Sequence, residues 1–130
     1  MAGERAKVAT VLLVEDYGDT REMMRMILEM RGCRVVEAAD GQAAVELAAA
    51  HCSDLGLVLM DLNLPLLDGY EATRRILAHG GTCHLPVVAF SAQCGPDQQR
   101  QALNAGCVEC LPKPVDFHAL DDVLGRYCHV

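Results

Sequence analysis

The sequence predicts an α/β fold: a five-stranded, doubly wound parallel sheet with helices on both faces. Three observations carry this prediction. Of five short strand-like runs, Val8 to Val14, Leu57 to Met60 and Val87 to Phe90 are apolar almost throughout, rather than alternating with polar residues, as strands buried on both faces are. Segments with helical spacing of apolar residues separate them. Repeated strand–helix units joined by right-handed crossovers then place the strands side by side in one sheet.

After a polar leader, Val8 to Val14 (VATVLLV) is β-branched and apolar, a first strand that ends in Glu15-Asp16. Asp19 to Glu22 (DTRE) has the form of a helix cap with a carboxylate three residues on. Met23, Met26, Ile27 and Met30 recur at helical spacing and are expected to fill the core, and Gly32 closes the helix. Cys33 to Ala38 (CRVVEA) is a short second strand, Asp40-Gly41 a turn or cap, and Ala43 to Ala50 an alanine-rich helix packed through Val45 and Leu47.

Leu57 to Met60 is a continuous apolar run that ends at Asp61, a third strand buried on both faces. Pro65 cannot extend it, and Asp68-Gly69 turns the chain into a helix over Tyr70 to Ala78. Val87 to Phe90 (VVAF) is the fourth strand and stops at Ser91. Pro96 to Ala105 is a polar helix with few apolar anchors, expected to be the least firmly held element. Cys107 to Leu111 is the fifth strand and runs into Pro112-Lys113-Pro114. Phe117, Leu120, Leu124 and Tyr127 mark the inner face of a last helix capped by Asp116.

A chain of 130 residues reads as one domain, residues 1–130, with a core from about Val8 to Tyr127. Its composition is 52% hydrophobic but only 4% aromatic, so the core must be aliphatic and sulfur-containing. A net charge of −7 argues against a nucleic-acid or anionic-membrane surface. No apolar run approaches a bilayer's thickness. The N-terminal stretch lacks a small-residue cleavage site, so no signal peptide is expected. The seven cysteines, in a chain with an ordinary aliphatic core, read as reduced, mostly buried thiols of a cytoplasmic protein. Cys107-x-x-Cys110 has the spacing of a zinc or redox motif, but no second CxxC accompanies it and it falls in a predicted strand. The metal–thiolate reading is therefore set aside.

In a parallel sheet the carboxyl ends of the strands share one edge, where ligands bind. Here those ends carry Glu15-Asp16, Asp61, Ser91 and Lys113. Clustered carboxylates need a cation, and hard oxygen ligands with open positions suit Mg²⁺. A carboxylate beside that ion can attack a phosphoryl group and form an acyl phosphate. An ammonium such as Lys113 would stabilise the phosphoryl oxygens, and Ser91 would donate to them.

Through VLLVED, MDLNLPLLDGYEA, VVAFSA and LPKP, in this order and spacing, the chain resembles the receiver domain of two-component response regulators from about Val8 to Tyr127. That resemblance implies a flavodoxin-like (βα)5 fold and a phosphoacceptor at Asp61, not a turnover enzyme. It implies direct Mg²⁺ ligation by Asp16, help from Glu15 through water, and the backbone carbonyl of Asn63 completing the protein's share. Ser91 corresponds to the switch hydroxyl and Lys113 to the family lysine, with a cis Lys113–Pro114 bond. The implied partners are a sensor histidine kinase or histidine phosphotransfer protein as donor, and a downstream protein or fused domain. One position departs from the pattern: Cys110 stands where the family usually carries an output-face aromatic.

Two other readings meet specific objections. Phosphatases with a strand-end aspartate nucleophile use Asp-x-Asp, whose second Asp carries the proton; Asn63 cannot ionise. A flavodoxin-type binder needs a hydroxyl- and Gly-rich loop after the first strand, whereas EDYGD would repel a flavin phosphate. A pure interaction module with a decayed site does not account for the complete set Glu15, Asp16, Asp61, Ser91 and Lys113.

Overall fold

A computed structural model describes residues 9–128. Strands β1 (Thr10–Val14), β2 (Arg34–Ala38), β3 (Leu55–Asp61), β4 (Val87–Ser91) and β5 (Glu109–Pro112) alternate with helices α1 (Gly18–Met30), α2 (Gly41–Ala50), α3 (Gly69–Ala78), α4 (Pro96–Ala105) and α5 (Phe117–Tyr127). The sheet order is β2-β1-β3-β4-β5, with every neighbouring pair parallel. The predicted α/β architecture is the observed one. Val8, expected in the first strand, lies outside the described residues.

The all-apolar strands are explained by a core on each face. Leu12, Val14, Val58 and Met60 pack with Ala44 and Ala48 of α2, Ala72 and Ile76 of α3, and Ala102 of α4. The alternate residues Val11, Leu13, Leu57, Leu59 and Phe90 pack with Met24 and Leu28 of α1 and Leu120, Val123 and Leu124 of α5. Side chains one residue apart on a strand face opposite sides, so a strand between two helical layers must be apolar at every position. Truncating Leu12 or Leu13, both fully buried, to alanine would cost about 2–5 kcal/mol on either face.

Caps set several helix starts as expected. Asp40 accepts from Ala43 N at 2.7 Å, Asp68 from Glu71 N at 2.8 Å, and Asp116 from His118 N at 2.9 Å. Four local expectations are corrected. Helix α1 begins at Gly18 with Tyr17 as its N-cap, so Asp19 lies inside the first turn and is not the cap. Its buried side chains are Met24 and Leu28, while Met23, Met26 and Met30 are exposed. Phe117 is exposed in the first turn of α5, with the Arg31 guanidinium 6.0 Å from its ring centroid. The second and fifth strands start at Arg34 and Glu109, so Cys33 and Cys107 precede them.

Two glycines fix the path between β3 and α3. A Cβ on Gly69 would lie 2.3 Å from the backbone oxygen of Asp61, and one on Gly41 would lie 2.2 Å from that of Leu67. Both neighbours are backbone, so neither can yield as a side chain would. Helix α3 can therefore begin directly against the end of β3.

Candidate functional site

Strand register assembles the site. Val14 pairs with Met60, so the residues after each, Glu15 and Asp61, leave the sheet side by side. Asp61 pairs with Phe90, and Ser91 with Pro112, which brings Ser91 and Lys113 to the same edge. Lys113 N also donates to the Ser91 carbonyl at 2.8 Å, tying those two positions together. The Lys113–Pro114 peptide bond is cis.

Glu15, Asp61 and Ser91 are almost fully buried, at 1%, 1% and 2% exposure, whereas Asp16 is exposed. Buried carboxylates need donors, and each has two. Glu15 accepts from Tyr17 N at 3.1 Å and from Lys113 Nζ at 3.0 Å. Asp61 accepts from Asn63 N at 2.9 Å and from Lys113 Nζ at 3.2 Å. Lys113 thus spans both carboxylates, and its ammonium lies 5.1 Å from the centroid of the Phe90 ring. Burial works to lower the Lys113 pKa, but the hydrogen bond to Glu15 and the charges of Asp61 and Glu15 outweigh it. The group is held above the ordinary lysine value and remains an ammonium at neutral pH.

One carboxylate oxygen from each of Glu15, Asp16 and Asp61 lies within 4.8 Å of the others. Such hard oxygens around one point fit a small divalent cation, with Asp16 on the solvent side. Asn63 is exposed beside Asp61, and its N–H orients the Asp61 carboxylate. Ser91 Oγ accepts from Gln93 N at 3.1 Å, so its hydroxyl rests against its own loop.

The predicted residues Glu15, Asp16, Asp61, Ser91 and Lys113 therefore share one edge, with Asn63 adjacent. Sequence reasoning missed Arg21, whose Nη1 donates to the Glu15 carbonyl at 2.9 Å. It also missed Tyr17 as a backbone donor and Gly69 as the residue that admits α3. Arg21 lies in the stretch that reads as a cap, and a backbone donor leaves no mark in residue type.

A parallel (βα)5 sheet with an acidic cluster and a lysine at its carboxyl edge is the architecture of two-component receiver domains. The sequence profile of the response regulator receiver domain matches residues 11–124, and the chain belongs to that family. The two-component response regulator ORR41 of Oryza sativa subsp. japonica is 36% identical over 123 residues, covering 93% of this chain and 95% of that protein. Hybrid signal transduction histidine kinase M of Dictyostelium discoideum is 32% identical over 119 residues, covering 89% of this chain but only 5% of the kinase. The chain likewise spans 12% of the sensor histidine kinase RcsC of Salmonella typhi. In structure, the chain is similar to the receiver domain of sensor histidine kinase PA1611 from Pseudomonas aeruginosa PAO1, with a TM-score of 0.86 and 33% identity over 95% of this chain and 100% of that one. That crystal structure has a magnesium ion coordinated in its active-site cleft. The chain is a receiver domain of two-component signalling, and the phosphatase reading is not favoured. Among the described residues, no helix is long and apolar enough to cross a membrane.

Proposed function

We propose that Asp61 is the phosphoacceptor of this receiver, that Mg²⁺ is its cofactor, and that residues 1–130 act as one signalling unit. The observation that carries the reading is a buried carboxylate at a strand end, oriented by Asn63 N and shared through Lys113 with Glu15. Glu15, Asp16, Asp61 and the Asn63 carbonyl would hold the ion, which when bound supplies positive charge against phosphoryl oxygens. An Asp61 oxygen attacks phosphorus, the bond from phosphorus to the donor's leaving group breaks, and an acyl phosphate forms on Asp61. Lys113 leaves its carboxylate partners to meet the new phosphoryl oxygens, and Ser91 turns from Gln93 N to donate to them. The protein does not turn over an outside substrate: with Asn63 two residues on, it lacks the acid–base carboxylate that such turnover uses.

The donor is a histidine kinase or a histidine phosphotransfer protein. The co-crystal structure of the Saccharomyces cerevisiae phosphotransfer protein Ypd1 with the receiver domain of Ssk1 is similar to this chain, with a TM-score of 0.83 and 28% identity. Beside the site, a cleft of about 460 Å³ is lined by Thr20, Met23, Lys113, Pro114 and Phe117 among others. Exposed Met23, Met26, Met30 and Phe117 give that side an apolar surface that a helical partner would cover. The downstream target is a protein contact or a fused domain, and the compartment is the cytoplasm.

Acetyl phosphate with Mg²⁺ should add one phosphoryl group by intact mass, lost in Asp61→Asn and in the presence of a chelator. Unchanged labelling in Asp61→Asn would overturn the assignment.

A further inference from the structure

Of the seven free cysteines, two meet between the β4–α4 loop and β5. Cys94 lies on the loop between β4 and α4, three residues after Ser91, and Cys110 lies in β5 opposite Ala89. Their sulfurs are 2.8 Å apart. Among the described residues no other pair of cysteine sulfurs makes such a contact. Cys107, the nearer cysteine in sequence, is buried with its sulfur 3.8 Å from Thr73 Oγ1 instead.

We propose that Cys94 and Cys110 form a reversible dithiol–disulfide site, oxidised by a low-molecular-weight disulfide, that ties the β4–α4 loop to β5. The sulfurs need to close by less than about 1 Å to reach bonding distance. The chemistry is thiol–disulfide exchange. Both cysteines are half-buried; Cys94, which sits on the loop rather than in a strand, attacks first as its thiolate, breaking the S–S bond of the oxidant and releasing one thiolate. Cys110, deprotonated in turn, attacks the Cys94 sulfur and expels the second thiolate. The two protein thiols lose two electrons, and their two protons end on the two small thiols produced. Burial pushes the Cys110 thiol up to about 12, with the Cys94 contact adding to the rise, so Cys110 is the slower nucleophile and its step relies on the 2.8 Å proximity of the two sulfurs.

The bond would act beside a thinly anchored helix. Only Ala102 and Ala105 of α4 are buried, and Leu103 is exposed. Gly95, directly after Cys94, starts α4 without a side-chain cap. A covalent tie at Cys94 fixes the entry to α4 and the loop on which Ser91 rests. The loop-tying claim stands on the thiol geometry; only its consequence for signalling rests on the proposed phosphoacceptor role.

The test uses the whole chain, incubated with oxidised glutathione, digested without reduction and mapped by mass spectrometry. The expected product is a Cys94–Cys110 cross-linked peptide pair, while exposed Cys83 takes a glutathione adduct and serves as the internal standard. In Cys110→Ser, Cys94 should carry the adduct instead. Hydrogen exchange over residues 91–106 should slow by about fivefold or more on oxidation, and dithiothreitol should reverse it. The Cys94→Ser/Cys110→Ser variant should exchange alike in both buffers. Glutathione on Cys94 of the unmutated chain without the cross-link, an unmodified Cys94, or a cross-link that leaves exchange over 91–106 unchanged would each overturn the proposal. A cross-link with slowed exchange in a protein whose reduced form takes no phosphate from acetyl phosphate would count against the phosphoacceptor reading alone.

Discussion

Replacing Lys113 by methionine tests how far the buried acidic pair depends on that ammonium. The Glu15 and Asp61 side chains are each 1% exposed, and Lys113 Nζ reaches them at 3.0 and 3.2 Å. Methionine keeps much of the stem packed near Phe90 but removes the charge and both hydrogen bonds. Two desolvated carboxylates then face one another, each left with one backbone donor. Removing one partner of a buried ion pair costs about 3–5 kcal/mol. The Lys113 side chain is 27% exposed, so water reaches the pair from one side and the loss falls lower. We expect roughly 2–3 kcal/mol, which for a domain this size lowers Tm by roughly 7–11 °C. Urea and thermal unfolding in chelator would measure it. Added Mg²⁺ should stabilise Lys113→Met more than the parent. Adding Glu15→Gln to Lys113→Met should recover part of the loss, because one of the two facing charges is gone. A loss below about 0.5 kcal/mol, or a Mg²⁺ response no larger than the parent's, would refute the view that the ammonium compensates a desolvated pair.

Further outcomes are expected elsewhere in the fold. Asp16 is exposed at the edge of the acidic cluster, so Asp16→Ala should weaken Mg²⁺ binding sharply yet change apo stability by no more than about 0.5 kcal/mol; Mg²⁺ titration and urea unfolding check the two halves. Gly69→Ala sets a methyl 2.3 Å from the Asp61 carbonyl and should destabilise by about 2–3 kcal/mol, with slower acetyl phosphate labelling; a neutral effect would mean that α3 can shift freely. Arg31 at the end of α1 pairs with Asp121 of α5, and the hydrogen bond from Arg31 holds the Asp121 carboxyl below its usual value of 3.8. A depressed carboxylate pKa stabilises above the unfolded value, and the gain is lost as pH falls through the folded value. Asp121→Asn should therefore be less stable than the parent near neutral pH, the gap should close as pH falls below 3.8 and through the lower folded-state value, and high salt should narrow the neutral-pH gap.

The sheet and its edge are legible in the sequence because burial on both faces leaves little freedom in residue type. Runs such as VLLV and LVLM have no polar position to mistake, and the residues just after each run land on one edge whatever the details of the helices. The helix faces are harder. In α1, Met23, Met26 and Met30 form one stripe and Met24 and Leu28 another, and periodicity identifies stripes without saying which one meets the sheet. The choice is made by contact with Val11, Leu13, Leu57 and Leu59, which belong to other parts of the chain. The start of α1 is hidden for a related reason. The buried Glu15 carboxylate takes the Tyr17 N–H, which turns the backbone into helix before Asp19 is reached. Spacing also draws attention to the wrong thiols: Cys107 precedes β5 and packs on Thr73, and the partner of Cys110 comes from the loop of another strand. Side-chain pairings between distant segments are written in the fold and only faintly in local pattern.

The two glycines that brace the segment between β3 and α3 separate address from chemistry. Gly41 and Gly69 fit against the carbonyls of Leu67 and Asp61, and Leu62 and Leu64 are buried in the core, so the ends of that segment are held from both backbone and side chain. Its tip carries none of the grip: Pro65 is exposed, and Leu66 is 95% exposed in a left-handed conformation with φ 66°. The residues a visiting protein would meet first can thus be rewritten while the carboxylate a few residues upstream stays in register. Specificity in such a chain has room to drift at its rim without disturbing its centre, and redesign of recognition can begin at positions 65 and 66.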